Sequence, residues 1–345
     1  MAATGRKKIL NVLAGQVEAT PPVWMMRQAG RHLPEYLETR AQARDFLDFC
    51  YTPSLAAEAT LQPVRRYGMD AAILFADILL ILDAMGLGVR FEKGEGPLVE
   101  EISAPADLRR IKPEAAADKL SPVYETVARV KSALPPETTL MGFAGSPWTV
   151  TLYAVEGRGK TDKSAALRWA HGRPDELAEA MDLVGEATAH YLARQVEAGA
   201  DALMLFDSWA EGLPDNIFEE VIIAPTRKLV DRLRSLGVTV PIIGFPRGAG
   251  VMVPDYVAAT GVTAVGLDTA ASPKFINREL PANFPVQGHL DPLLLIEGGR
   301  RLDARVDQLL DAYRHRPHIF NLGHGVRPET PIAHVERVLD RVRKG

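Results

Sequence analysis

Arg27 and Arg31 stand four residues apart in the stretch Trp24-Met25-Met26-Arg27-Gln28-Ala29-Gly30-Arg31-His32-Leu33-Pro34-Glu35-Tyr36, directly after an apolar run. A guanidinium is always charged, and its planar fork matches a carboxylate or a phosphate. If the chain turns helical after that run, the two arginines share a face and can hold one anion together. The competing reading is a structural ion pair, with Arg31 reaching Glu35 at helical spacing. Gly30, between the arginines, lets a backbone or a ligand approach closely.

Four further groups could carry chemistry. Asp77 lies between the apolar runs Ile73-Leu74-Phe75-Ala76 and Ile78-Leu79-Leu80-Ile81-Leu82. A carboxylate so placed is either a helix cap or a functional group in a dry setting. Tyr153, in Thr151-Leu152-Tyr153-Ala154, reads as a core or rim tyrosine or as a catalytic one. Ser208, in Phe206-Asp207-Ser208-Trp209, can cap a following helix or face a site. His324 sits between Gly323 and Gly325, where a tight turn or a close substrate approach is sterically open.

Other patterns weigh against particular chemistries. Gly157-Arg158-Gly159-Lys160-Thr161 looks like the end of a phosphate-binding loop, but the required first glycine is replaced by Ala154. His315 and His318 lack a surrounding set of metal ligands. No dinucleotide-binding glycine pattern follows a strand. Cys50 is the one cysteine, which rules out an intramolecular disulfide and fits a reducing cytosol. The net charge of −4 disfavours a general nucleic-acid surface, though a local basic pocket remains compatible with it. The N-terminal stretch lacks the apolar core of a signal peptide, and no apolar run is long enough to span a membrane.

Elements must bring these scattered residues together. Eight short apolar runs each stop abruptly at polar residues: 22–26 at Arg27, 71–76 at Asp77, 139–143 before Ser146, and 202–206 at Asp207 and Ser208. The others are 241–245 before Arg247, 264–267 at Asp268, 285–288 at His289, and 318–322 before His324. Continuous apolarity over so few residues predicts strands buried on both faces of a parallel sheet. Amphipathic helices are predicted between them at 56–67, 122–133, 175–198, 224–236 and 301–313. Alternating strands and helices make an α/β protein, and eight strands favour a closed (β/α)8 barrel of TIM type over residues 1–345. The polar stops would then meet at the C-terminal ends of the strands, where such barrels carry their active sites. The short first run and the long gap from 78 to 138 are the parts this pattern describes least.

The motifs WMMRQAGRHLPEY, FADIL, GFAGSPWTVTLYAVEGR, FDSWAE and NLGHGV, with PETP near the end, resemble the uroporphyrinogen decarboxylase family in order and over nearly the whole chain. The resemblance implies a (β/α)8 barrel, a cytoplasmic homodimer, and a small-molecule substrate, with no nucleic-acid or membrane partner. It implies removal of the four acetate carboxyls of uroporphyrinogen III, giving coproporphyrinogen III, without metal or organic cofactor. It places Arg27, Gln28, Ala29, Gly30 and Arg31 on the substrate carboxylates and Asp77 on the pyrrole N–H groups. Tyr153, Ser208 and His324 fall on further substrate contacts, and Phe206 lines the pocket. Asp77 would stabilise a transition state, with Arg27, Tyr153 and His324 also catalytic. His32 stands where the family commonly has tyrosine, and His289 where it has asparagine, so both bear on the pocket rim. Two rivals are a zinc-dependent methyltransferase of the same superfamily and a non-enzymatic tetrapyrrole carrier. The first needs cysteine ligands that Cys50 alone does not supply; the second needs the arginines but not Asp77.

Overall fold

The computed structural model describes residues 7–92, 95–159 and 162–344. Its main sheet is parallel and joins β1 (Ala71–Ile73), β4 (Thr139–Gly145), β5 (Ala202–Asp207), β6 (Ile242–Pro246), β7 (Ala264–Gly266), β8 (Val286–Gln287) and β9 (His318–Ile319) in that order. Each pairs with its predecessor in parallel register, for example Met141 opposite Ala202 and Leu203 opposite Ile242. A separate antiparallel hairpin, β2 (Val89–Glu92) with β3 (Gly96–Val99), lies within the gap left by the sequence pattern. Its burial is uneven and one strand is half-exposed, so no clean apolar run marks it.

The first predicted strand is reduced to a single residue pair, but it closes the ring. Val23 bridges Phe320 in parallel fashion. The Phe320 N–H donates to the Pro22 carbonyl at 2.9 Å, and the Asp70 N–H donates to Val23 at 2.9 Å on the other edge. With Val23 counted, eight staves stand around the barrel, the number read from the sequence. The strand cores are fully buried, as in β4 and β6, because helices cover the outside and side chains fill the inside.

The helices match the predicted spans within a few residues: Pro53–Tyr67, Ser121–Ala133, Pro174–Glu197, Ala224–Ser235 and Gly299–Ala312. Helix Pro174–Glu197 is tied directly to β4. Buried Gln195 accepts from the Phe143 N–H at 2.9 Å and donates to its carbonyl at 3.0 Å. Gly142 permits this approach, since a Cβ there would stand 2.4 Å from the Gln195 Oε1. No helix among the described residues is long and apolar enough to cross a membrane.

The chain does not turn helical after the first stave. Arg27 adopts φ 58°, the left-handed region that costs an L-residue roughly 1–2 kcal/mol. Two turns follow, closed by Gln28 N–H to Met25 and Leu33 N–H to Gly30, both at 3.0 Å. The helix starts only at Pro34, where proline's fixed φ suits a first helical position. Glu35 is held by Arg66, with Nε–Oε1 at 2.6 Å, rather than by Arg31. Neither Arg27 nor Arg31 has an ion-pair partner among the described residues, so the structural ion-pair reading is corrected.

Candidate active site

A cleft of about 690 Å³ opens at the C-terminal ends of the strands. Arg27, Ala29, Gly30 and Arg31 enter it from the turns after the first stave, Asp77 from the segment after β1, and Tyr153 from helix Pro147–Glu156 after β4. Phe206 and Ser208 enter from the end of β5, and His324 from the turn after β9. The strand-end rule therefore gathers residues nearly 300 positions apart in sequence.

Glycine spacing explains how Arg27 reaches the cleft. Its stem crosses Gly325: a Cβ at that position would lie 2.3 Å from the Arg27 Cδ and 3.1 Å from its Cβ. Gly325 thus makes room for the arginine, while Gly323 admits Thr269, whose backbone N would stand 2.9 Å from a Cβ there. Arg27 and Arg31 are both exposed toward the open cleft.

The N-cap of the next helix is Leu79 rather than Asp77, but the Asp77 side chain holds the turn that leads there. One carboxylate oxygen accepts from the Leu79 N–H at 2.9 Å and starts the turn into helix Leu80–Ala84. No other hydrogen bond reaches its carboxylate among the described residues, and the residue lines the cleft. Burial holds its carboxyl above the ordinary range, opposed by the Leu79 N–H and by the charge of Arg27. Burial likewise raises the Tyr153 phenol, which stays protonated as a donor. Its ring meets Trp209 edge-on, with centroids 6.2 Å apart.

His324 is neutral near pH 7. Burial pushes it down to about 4, helped by Arg27, Arg247 and Arg327. The Gly325 N–H donates to its Nδ1 at 2.7 Å, which puts the ring proton on Nε2. Ser208 lies in the turn after β5 and caps no helix; the next helix, Asp215–Phe218, begins after Pro214.

Sequence reasoning missed several lining groups. Arg40 is a third cation on the cleft, its guanidinium 5.7 Å from the Phe49 ring and 5.9 Å from the Phe46 ring. Its position in a charged helical segment gave no signal. Phe46 and Phe91 meet edge-on at 4.6 Å and form one wall with Phe75. A second aromatic row, Phe143–Phe206–Phe245, crosses three neighbouring strands with centroids 5.5 and 6.0 Å apart. Among the described residues the lining carries three arginines and one aspartate, a formal +2 on a chain of net −4.

Three expected positions are redefined. The Gln28 side chain does not line the cleft: it is buried, donates to the Ala71 carbonyl at 2.9 Å and accepts from the Met25 N–H at 3.1 Å. It ties the first stave to β1 behind the arginines. His32 and His289 also lie off the cleft. His32 stacks on Tyr67, and the His289 Nε2 shares a hydrogen bond with the Tyr313 hydroxyl at 3.0 Å.

None of the residues weighed for a metal, Cys50, His315 and His318, lines the cleft. Cys50 is buried in helix Phe46–Tyr51 and does not line the cleft. His318 is buried with its Nε2 2.8 Å from the Gly288 carbonyl, while His315 is exposed. The phosphate-loop candidate ends at Lys160 and Thr161, which lie outside the described residues.

Known proteins resemble this chain over nearly its whole length. Residues 4–345 match the family described as uroporphyrinogen decarboxylase (URO-D). The chain is 81% identical to the uroporphyrinogen decarboxylase of Hyphomonas neptunium over 341 residues, 99% of both chains. It is 52% identical to that of Maricaulis maris, with 98% of each covered. Among solved structures, a methyltransferase from Methanosarcina mazei superposes with a TM-score of 0.82 over 99% of this chain and 98% of the other, at 19% identity, a likeness of fold alone. With the barrel, the arginine-bearing motif and the relatives in agreement, the chain belongs to the uroporphyrinogen decarboxylase family.

Proposed function

We propose that this protein decarboxylates the four acetate side chains of uroporphyrinogen III, leaving methyl groups and releasing coproporphyrinogen III and carbon dioxide. The observation that carries this reading is the cleft's charge pattern: one carboxylate, Asp77, among three arginines and two aromatic walls. A macrocycle with carboxylates around its rim and N–H donors at its centre is the complementary shape. Arg27, Arg31 and Arg40 take rim carboxylates, which the planar guanidinium fork suits. Ala29 and Gly30 let the macrocycle approach their backbone. Tyr153, Ser208 and the Nε2–H of His324 supply neutral donors. Phe206 and its neighbours pack against the ring system.

The chemistry follows from what a pyrrole can do. A ring carbon takes up a proton, and the ring becomes a cation. The bond to the carboxylate then breaks, carbon dioxide leaves, and its electron pair neutralises the ring as an exocyclic methylene forms. The methylene carbon takes a proton and the ring carbon returns its own. Each acetate thus consumes one proton and releases one carbon dioxide. The ring itself is the electron sink, so the reading calls on no metal or organic cofactor. Asp77 accepts the pyrrole N–H groups and stabilises the cationic transition state. Its apolar surroundings strengthen that attraction by excluding water.

Arg27 binds and orients in this scheme, because a guanidinium is a poor acid. His324 serves as a donor rather than an imidazolium acid. We further propose that the chain works as one barrel domain, in a cytoplasmic homodimer. The test is Asp77→Asn, which keeps the shape and removes the charge. It should still bind uroporphyrinogen while turnover falls by roughly 100-fold or more. Turnover within a few-fold of the unaltered protein contradicts the role of Asp77. Binding without any turnover in the unaltered protein itself favours a carrier.

A further inference from the structure

Arg247 follows β6 and does not line the cleft, yet it touches the loop that carries Ser208. Its Nη1 donates to the Ser208 carbonyl at 2.8 Å, and its Nη2 lies 3.0 Å from the Glu211 Oε2. Its own N–H donates to the Asp207 carbonyl at 3.0 Å. The two loops are pressed together here, since a Cβ on Gly248 would stand 2.3 Å from the Glu211 Cβ.

The opposite side of the same loop is also held. The Trp148 Nε1 donates to the Trp209 carbonyl at 3.1 Å, and the Lys163 Nζ donates to the Glu211 carbonyl at 3.0 Å. Three carbonyls of this one turn therefore accept from side-chain donors, where solvent would usually serve an exposed loop. Of the three donors, only Arg247 acts on the residue that faces the cleft. We infer that Arg247 is a positioning residue: its guanidinium fixes the main chain of Ser208 at the cleft wall, and Glu211 fixes the guanidinium. The inference rests on the reaction proposed above. The same side chain helps to keep His324 neutral, after burial and Arg27, which places it within electrostatic reach of a second cleft residue.

A lysine keeps the charge but offers one ammonium where the guanidinium offers two prongs. The test is a double-mutant cycle on kcat/KM with Arg247→Lys, Ser208→Ala and the pair. Arg247→Lys is expected to lower kcat/KM about five-fold when Ser208 is present and less than about two-fold when it is not. Equal losses in both backgrounds, or no loss in either, overturn the inference. If Arg247→Lys does not fold, the same cycle with Glu211→Gln decides: coupling to Ser208→Ala supports the brace and additivity overturns it. Amide exchange over residues 207–212 reads the brace without turnover. Faster exchange in Arg247→Lys or Glu211→Gln is expected, and unchanged exchange refutes it even if the unaltered protein releases no carbon dioxide from uroporphyrinogen, an outcome that would sink the functional reading instead.

Discussion

Adding one methyl group at Gly325 should disable Arg27 without unfolding the barrel. The backbone there is not left-handed, so alanine is admitted and the effect is steric. The new Cβ would meet Arg27 at its Cδ, Cγ and Cβ, at 2.3, 2.7 and 3.1 Å. An ordinary contact begins at 3.4 Å, so the stem has to give by 1.1 Å at the Cδ (3.4 minus 2.3). A swing about χ1 clears the Cδ and Cγ, and the backbone gives by 0.3 Å (3.4 minus 3.1) at the Cβ, so the guanidinium leaves its place. Misplacing an orienting group by about 1 Å can reduce turnover by roughly 100-fold. Stability should suffer far less, by about 1 kcal/mol or under, because Arg27 is exposed and can move into solvent. The assay is kcat/KM for Gly325→Ala, for Arg27→Ala and for both together, with thermal melts of each. A large loss for Gly325→Ala and no further loss on adding it to Arg27→Ala is expected. Near-normal activity for Gly325→Ala, or fully additive losses, would refute the idea that Gly325 acts by admitting Arg27.

On the proposed role of the exposed Arg31 guanidinium in binding, Arg31→Ala should raise KM several-fold more than it lowers kcat; a fall in kcat alone would contradict that assignment. Stability should decline in acid through the buried histidines. Burial holds His289 down to about 3 and His318 down to about 4, against an ordinary value of 6.5. Between those values the unfolded chain binds protons that the folded one does not, so stability rises with pH in that window and is lost as pH falls from 6.5. Buried carboxyls such as Asp207, which burial pushes up to about 7, pull the other way, so the difference between variants is the cleaner reading. Over pH 4–6, His289→Asn should flatten the slope of unfolding free energy by up to about 1.4 kcal/mol per pH unit, and an unchanged slope would show that His289 does not titrate on unfolding.

The barrel was legible because its strands are buried on both faces. Runs such as Ala202–Asp207 and Ile242–Pro246 have no polar face to blur them, and each ends where solvent or ligand begins. That same ending marked Asp77, Ser208 and His324 as neighbours before any coordinates. The hairpin of β2 and β3 escaped because its partial exposure leaves a mixed pattern. The helical turn on which a shared face of Arg27 and Arg31 depended is absent for a different reason. Nothing in the identity of Arg27 favours a left-handed backbone; the tertiary fit over Gly325 imposes it. Gln28 sits beside two cleft residues yet points into the protein, since a turn sends successive side chains in different directions. Arg40 reads as a surface charge until helix Pro34–Arg40 is seen to end at the cleft rim.

The central claim is that this cleft strips carboxylates from a reduced tetrapyrrole using its own side chains. The most direct measurement is anaerobic incubation of the purified, chelator-treated protein with uroporphyrinogen III, followed by oxidation and separation of the products by carboxyl number. Stepwise appearance of species with seven, six, five and finally four carboxylates is expected. Tightly bound substrate that keeps all eight carboxylates would contradict the claim, and so would a dependence on added zinc.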